Sequence, residues 1–100
     1  MSYSYELGSH AGKEFSDSYV WYEEQQDGLG EKFIEAVYDK IDQICKKPYH
    51  YKTRYKNYRE ALTDKFPFLI AYKIDEINQK ITIMAIFHTS RNPKKKFRKR

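Results

Sequence analysis

Lys80-Ile81-Thr82-Ile83-Met84-Ala85-Ile86-Phe87-His88 is the most strand-like stretch of this chain. Alternation puts Ile81, Ile83, Ala85 and Phe87 on one face and Met84 and Ile86 on the other. A strand that is apolar on both faces belongs inside a sheet rather than at its rim. Upstream, Asp75 to Gln79 reads as a turn. Before it, residues 66–75 set Phe66, Phe68, Ile70, Tyr72 and Ile74 on one face of a second strand. A third, weaker strand fits residues 58–63. These three strands, joined by short links, predict an antiparallel sheet.

Before Pro48 the apolar period changes from two to about 3.6. Phe33, Val37, Ile41 and Ile44 stripe a helix over 31–46, supported by Ile34, Ala36 and Cys45. Lys46 and Lys47 suit its negative end, and Pro48 stops it. An earlier helix over 10–26 carries Ala11, Phe15, Tyr19 and Tyr22, with Val20 and Trp21 widening the stripe. Ser9 is placed to cap it. The link Asp27-Gly28-Leu29-Gly30 offers Gly28 for a left-handed turn, and its shortness predicts an antiparallel helical hairpin. Tyr3 to Leu7 alternates as a short first strand. The fold class is therefore α+β: an N-terminal strand, an antiparallel helical hairpin, then three antiparallel strands in a small sheet packed on the helices.

A chain of 100 residues accommodates one domain, here residues 1–93, followed by a basic tail over 94–100. Aromatic residues make up 17%, including ten tyrosines, which is too apolar a content for a disordered chain despite 33% charged residues. Charge is unevenly spread. Residues 1–44 hold ten acids and three bases, a net of −7; residues 45–100 hold sixteen bases and four acids, a net of +12, and together they give +5. Such asymmetry points to an anionic macromolecular partner. The tail Lys94-Lys95-Lys96-Phe97-Arg98-Lys99-Arg100 would strengthen any polyanion contact and make it salt-sensitive.

The lone Cys45 lies on an apolar helix face and reads as a core residue. No run of about 18 apolar residues spans a membrane, and no apolar leader follows Met1, so a cytoplasmic location is expected. His10, His50 and His88 show no metal-ligand spacing, and no phosphate-binding glycine loop or serine elbow is present. Neither a metal nor a cofactor is expected.

Two constellations remain. Tyr49-His50-Tyr51-Lys52-Thr53-Arg54-Tyr55-Lys56-Asn57-Tyr58-Arg59 alternates rings with cations and holds no acid. Rings can stack on bases while Lys52, Arg54, Lys56 and Arg59, with Lys94, Lys95 and Lys96, meet phosphates or another target. Equally, some of these tyrosines can be core and the lysines a solvated face. The second constellation is His88 with Arg91, joined by Arg59 and Tyr72. Cleavage of RNA by its own 2′-hydroxyl needs a base, an acid and a cation at the phosphate, and these side chains offer all of them. A structural role for His88, at the end of its strand, explains it as well. The acidic helix face of Glu14, Asp17, Glu23, Glu24, Asp27 and Glu31 reads as solvated surface.

Trp21-Tyr22-Glu23-Glu24, Gly28-Leu29-Gly30, Phe33, Ile44, Pro48, Arg59, Phe66-Pro67-Phe68-Leu69-Ile70-Ala71-Tyr72, Ile83 to His88 and Arg91-Asn92-Pro93 occur in an order that resembles the RelE/ParE family of bacterial toxins from type II toxin–antitoxin systems. The resemblance runs over about residues 3–93. It implies growth inhibition and a cognate antitoxin that wraps and neutralises the toxin. It also implies one of two targets: messenger RNA in the ribosomal A site, cut without a metal, or DNA gyrase, poisoned without nuclease chemistry. In the nuclease branch Arg59 and Arg91 would hold the phosphate and His88 or Tyr72 would move protons. Ribosome-dependent relatives carry a Tyr or His in the C-terminal segment, whereas here nothing after His88 is either. The Gly-Leu-Gly turn, Phe-Pro-Phe and His-x-x-Arg-x-Pro are more ParE-like, so gyrase is the favoured target and the chain is an enzyme only on the other branch. A non-toxic RNA-binding module is a further alternative, resting on charge alone.

Overall fold

The computed structural model describes residues 2–90. Arg91 and the tail with Lys94, Lys95 and Lys96 lie outside the described residues. The elements run β1 (Ser4–Leu7), α1 (Ser9–Gln25), α2 (Leu29–Lys46), β2 (Thr53–Tyr55), β3 (Tyr58–Leu62), β4 (Phe68–Asp75) and β5 (Lys80–His88). They form a five-stranded sheet in the order β1-β5-β4-β3-β2, antiparallel except for β1, which runs parallel to β5. The α+β architecture read from the sequence is the one observed. β2 was not expected. It forms a hairpin with β3 through Lys56 and Asn57, with Lys56 at φ 52°.

The helical hairpin is antiparallel, because Phe15 meets Tyr38 and Tyr22 meets Phe33, both at ring-contact distance. Its buried stripe is Ala11 and Phe15 from α1 with Phe33, Val37, Ile41, Ile44 and Cys45 from α2. Val20 and Trp21 do not join it. They face solvent, because only a narrow strip of α1 meets α2 and the sheet. Gly8, not Ser9, occupies the cap position of α1, and Ser9 is its first helical residue. Gly28 takes the left-handed conformation foreseen for it, at φ 86°.

The pattern of β5 departs from simple alternation. Ala71 pairs with Ala85 but Tyr72 pairs with Ile83, so Met84 is an extra residue in β5, a β-bulge. The bulge exchanges the faces. Ile81 and Ile83 point to the helices, and beyond Met84 it is Ile86 that does so. Ala85 and Phe87, expected beside Ile81 and Ile83, instead join Leu69 and Ala71 on the opposite face. β4 has no extra residue, so Phe68, Ile70, Tyr72 and Ile74 keep one face as expected.

β1 stops at Leu7, and Gly8 N–H donates the last bond of that edge to the Ile83 carbonyl. Beyond it β5 has no strand neighbour on this side. Glu14 from α1 fills the gap: its Oε1 accepts the Ile86 N–H at 2.8 Å, and its Oε2 lies 3.4 Å from His10 Nε2. Glu23 is similarly engaged, accepting the Gly28 and Gly30 N–H groups at 2.9 and 3.0 Å. Those groups belong to the first turn of α2, whose orphan donors need acceptors. Glu14 and Glu23 are therefore structural, not the solvated surface expected of them.

Candidate functional site

The segment between α2 and β3 is clamped from several sides. Pro48 is buried, and its carbonyl accepts the Tyr72 hydroxyl at 2.6 Å. Tyr51 offers its carbonyl to Arg59 Nη1 at 2.6 Å, and its hydroxyl lies 3.4 Å from Gln43 Oε1. The Tyr51 ring also receives the Lys40 ammonium, 5.8 Å from its centroid. Tyr49, although 56% exposed, donates its hydroxyl to Glu76 Oε1 at 2.5 Å and lays its ring 5.1 Å from the Arg59 guanidinium carbon. Tyr3 donates to the same Glu76 oxygen at 2.9 Å. The basic–aromatic segment thus has one part held as structure and one part presented.

Arg59 and Tyr72 are directly opposite each other across β3 and β4. Tyr72 is fully buried, however, and burial pushes its phenol well above the usual range against the opposing pull of Arg59. Above the usual phenol value of about 10, the unfolded chain ionises this group while the folded chain does not, so stability falls as pH rises past that value. Tyr72→Phe is expected to cost about 1–2 kcal/mol at neutral pH, from the unpaired Pro48 carbonyl, and to weaken the alkaline loss. Urea unfolding at pH 7 and 10.5 measures both; unchanged midpoints would mean the hydroxyl is not engaged.

His88 does not join this pair. It lies opposite Phe68, four residues along β4 from Tyr72, or roughly 13 Å at the usual strand rise. Its ring packs edge-on against Phe68 at 5.4 Å, and its Nδ1 accepts the Ser90 N–H at 3.0 Å. A cleft there is lined by Ser18, Trp21, Tyr22, Phe68, His88 and Ser90. Lys52, Arg54 and Lys56 are exposed around β2. Arg54 is tied to the buried Glu60 carboxylate at 3.6 Å, and burial raises that carboxyl while Arg54 opposes the rise.

Sequence reasoning missed Glu76, Glu60 and Gln43 as organisers of this region. Glu76 lies 73 and 27 positions from the tyrosines it holds, while Glu60 and Gln43 reach Arg54 and Tyr51 only through the turns that fold the chain between them.

The comparisons with known proteins bear on this geometry. The profile of the ParE toxins of type II toxin–antitoxin systems (parDE) matches residues 5–93. The chain belongs to this family. Among solved structures, the ParE-family chain is similar to one in the chromosomal ParDE system of P. aeruginosa, with TM-score 0.73, 13% identity, and coverage of 87% of this chain and 96% of that one. It is also similar to one in the intact E. coli RelBE toxin–antitoxin complex, with TM-score 0.69, 14% identity, and coverage of 90% and 100%. A third is in the RelBE2 toxin–antitoxin complex of Mycobacterium tuberculosis, with TM-score 0.65, 13% identity, and coverage of 88% and 99%. At these identities the likeness carries the fold alone. No curated protein sequence matches. Among the described residues of this toxin, no helix is long and apolar enough to cross a membrane.

Proposed function

We propose that this toxin inhibits growth by poisoning DNA gyrase and that a cognate antitoxin neutralises it. The observation that carries the reading is the separation of the candidate nuclease groups. Arg59 and the buried Tyr72 share one end of β3–β4, while His88 lies at the far end of β4–β5. An acid or base must come within hydrogen-bond reach of the atom it serves, through one water at most. His88 is therefore out of reach of Arg59, and Tyr72, though opposite Arg59, is buried with its hydroxyl donated to the Pro48 carbonyl. A surface that binds a protein target needs no such convergence. The family profile, which is that of ParE toxins, supports the same branch. The antitoxin is inferred from the family and from the toxin–antitoxin complexes in which the structural neighbours occur. The +12 half of the chain suits a partner with acidic segments.

The second reading, a ribosome-dependent, metal-independent mRNA endonuclease, is favoured by one observation. Tyr49 is an exposed ring backed by the Arg59 guanidinium, an arrangement on which an unpaired base could stack. In that reading Arg59 and Arg91 contact phosphate, and Lys52, Arg54, Lys56, Lys94, Lys95 and Lys96 track the strand.

One pair of assays separates them. Supercoiling by purified gyrase is expected to fall as the toxin is added, and induced cells are expected to arrest with intact messages. Full gyrase activity at saturating toxin, with new message ends inside codons, would transfer the assignment to the nuclease branch.

A further inference from the structure

Glu76 is one of only four acids in the basic half of the chain, residues 45–100. It lies in the turn after β4, and two separate segments reach it: Tyr3 ahead of β1 and Tyr49 beyond α2, both donating phenolic hydrogens to its Oε1. The Tyr49 ring leads directly to Arg59. These hydrogen bonds stabilise the charged carboxylate, first that from Tyr49 and then that from Tyr3, and hold its pKa below the usual carboxyl value. Glu76 is thus an anion at neutral pH, sitting on the donors that a partner's anion would seek.

We propose that Glu76 is a built-in competitor for an acidic polypeptide segment: it occupies the Tyr3 and Tyr49 hydroxyls, beside the Arg59 guanidinium on the Tyr49 ring, until a partner's carboxylates replace it. The surface already shows which ligand chemistry it accepts, because its occupant is a glutamate side chain presented on a turn. Phenol donors and a ring-backed guanidinium serve a carboxylate well, since hydrogen bonds to an ionised acceptor are the stronger ones. Exposure makes the exchange feasible: Tyr49 is 56% exposed, and Glu76 can swing into water at little desolvation cost. The inference rests on the reading that this toxin has an acidic protein partner and adds how that contact is regulated. Competition by Glu76 raises the ligand concentration needed to fill the site and so favours partners with several acids over a single one.

The test is calorimetric titration of the full chain with a twelve-residue oligoglutamate, in wild type, Glu76→Gln and Glu76→Ala, with oligothymidylate of the same length as a second probe. Glu76 is exposed in a turn, so both variants are expected to fold, and thermal unfolding checks that they do. Removing one like charge from the site is expected to tighten oligoglutamate binding about fivefold in both variants. Arg59→Ala is expected to abolish that gain. Equal affinities for wild type and variants overturn the proposal. Absence of oligoglutamate binding, or a gain confined to oligothymidylate, also overturns it and reassigns the surface to nucleic acid. Any of these failures leaves the toxin reading intact, because that reading is decided by supercoiling and message integrity in the wild-type protein.

Discussion

Phe33→Ala is expected to remove about 3–5 kcal/mol of folding free energy, the range for deleting a fully buried phenylalanine ring. Phe33 is 0% exposed and joins the two layers. Its ring lies 5.8 Å from Phe15 and 5.1 Å from Tyr22 in α1, 5.6 Å from Phe66 in the loop before β4, and 4.8 Å from Phe68 at the start of β4. Truncation leaves a void between rigid rings, which collapse poorly into it. A domain of this size has about 5–15 kcal/mol in hand, so the variant sits near the edge of folding. Thermal unfolding should show the midpoint falling by about 15 °C or more. A fall under about 5 °C would mean that this ring does not bridge helices and sheet as described.

Gly30→Ala is the second large expected loss. An added Cβ at Gly30 would lie 2.8 Å from the Tyr19 carbonyl oxygen, 2.8 Å from Tyr19 Cδ1 and 2.9 Å from Glu23 Oε1. The ring could turn aside, but the Tyr19 carbonyl is backbone within α1. The hairpin must therefore open at its closed end, and Glu23 must release the amides it holds. Overpacking of this kind costs about 1–3 kcal/mol, and weakening the Glu23 contacts adds to it. Glycine at 30 is thus a steric requirement of the helix approach, while glycine at 28 answers a positive φ of 86°. Chemical denaturation checks the prediction; a loss below about 0.5 kcal/mol would show that the two helices separate freely at this point.

These residues also mark what could be read from the sequence. Phe33, Val37, Ile41 and Ile44 announced their burial by spacing alone, because a helix repeats its inner face at fixed intervals. β4 was equally legible. β5 was legible as a strand but not in its facing, because the bulge at Met84 is set by pairing with β4 and not by its own alternation. β2 was hidden because Lys56-Asn57 lacks the glycine that signals a two-residue hairpin. At the candidate site, the sequence pointed to Arg59, Tyr72 and the segment around Tyr49. It did not reveal that Tyr72 spends its hydroxyl on Pro48, or that Glu76 crosses 27 positions to reach Tyr49. Such contacts join residues with no periodic relation, and only the folded chain brings them together.

The parallel pairing of β1 with β5 bears on how this protein is made. Ser4 and its partner Lys80 lie 76 positions apart, with both helices and three strands between them. A growing chain can wind both helices early, since their contacts are local, but its first strand has nowhere to bind until β5 has emerged. Addition of β1 to the sheet therefore waits for β5. A polypeptide released before Lys80 contains the helical hairpin and most of the basic segment, yet lacks the strand that joins its beginning to the rest. The topology leaves any copy cut short before Lys80 unfinished in structure as well as in length.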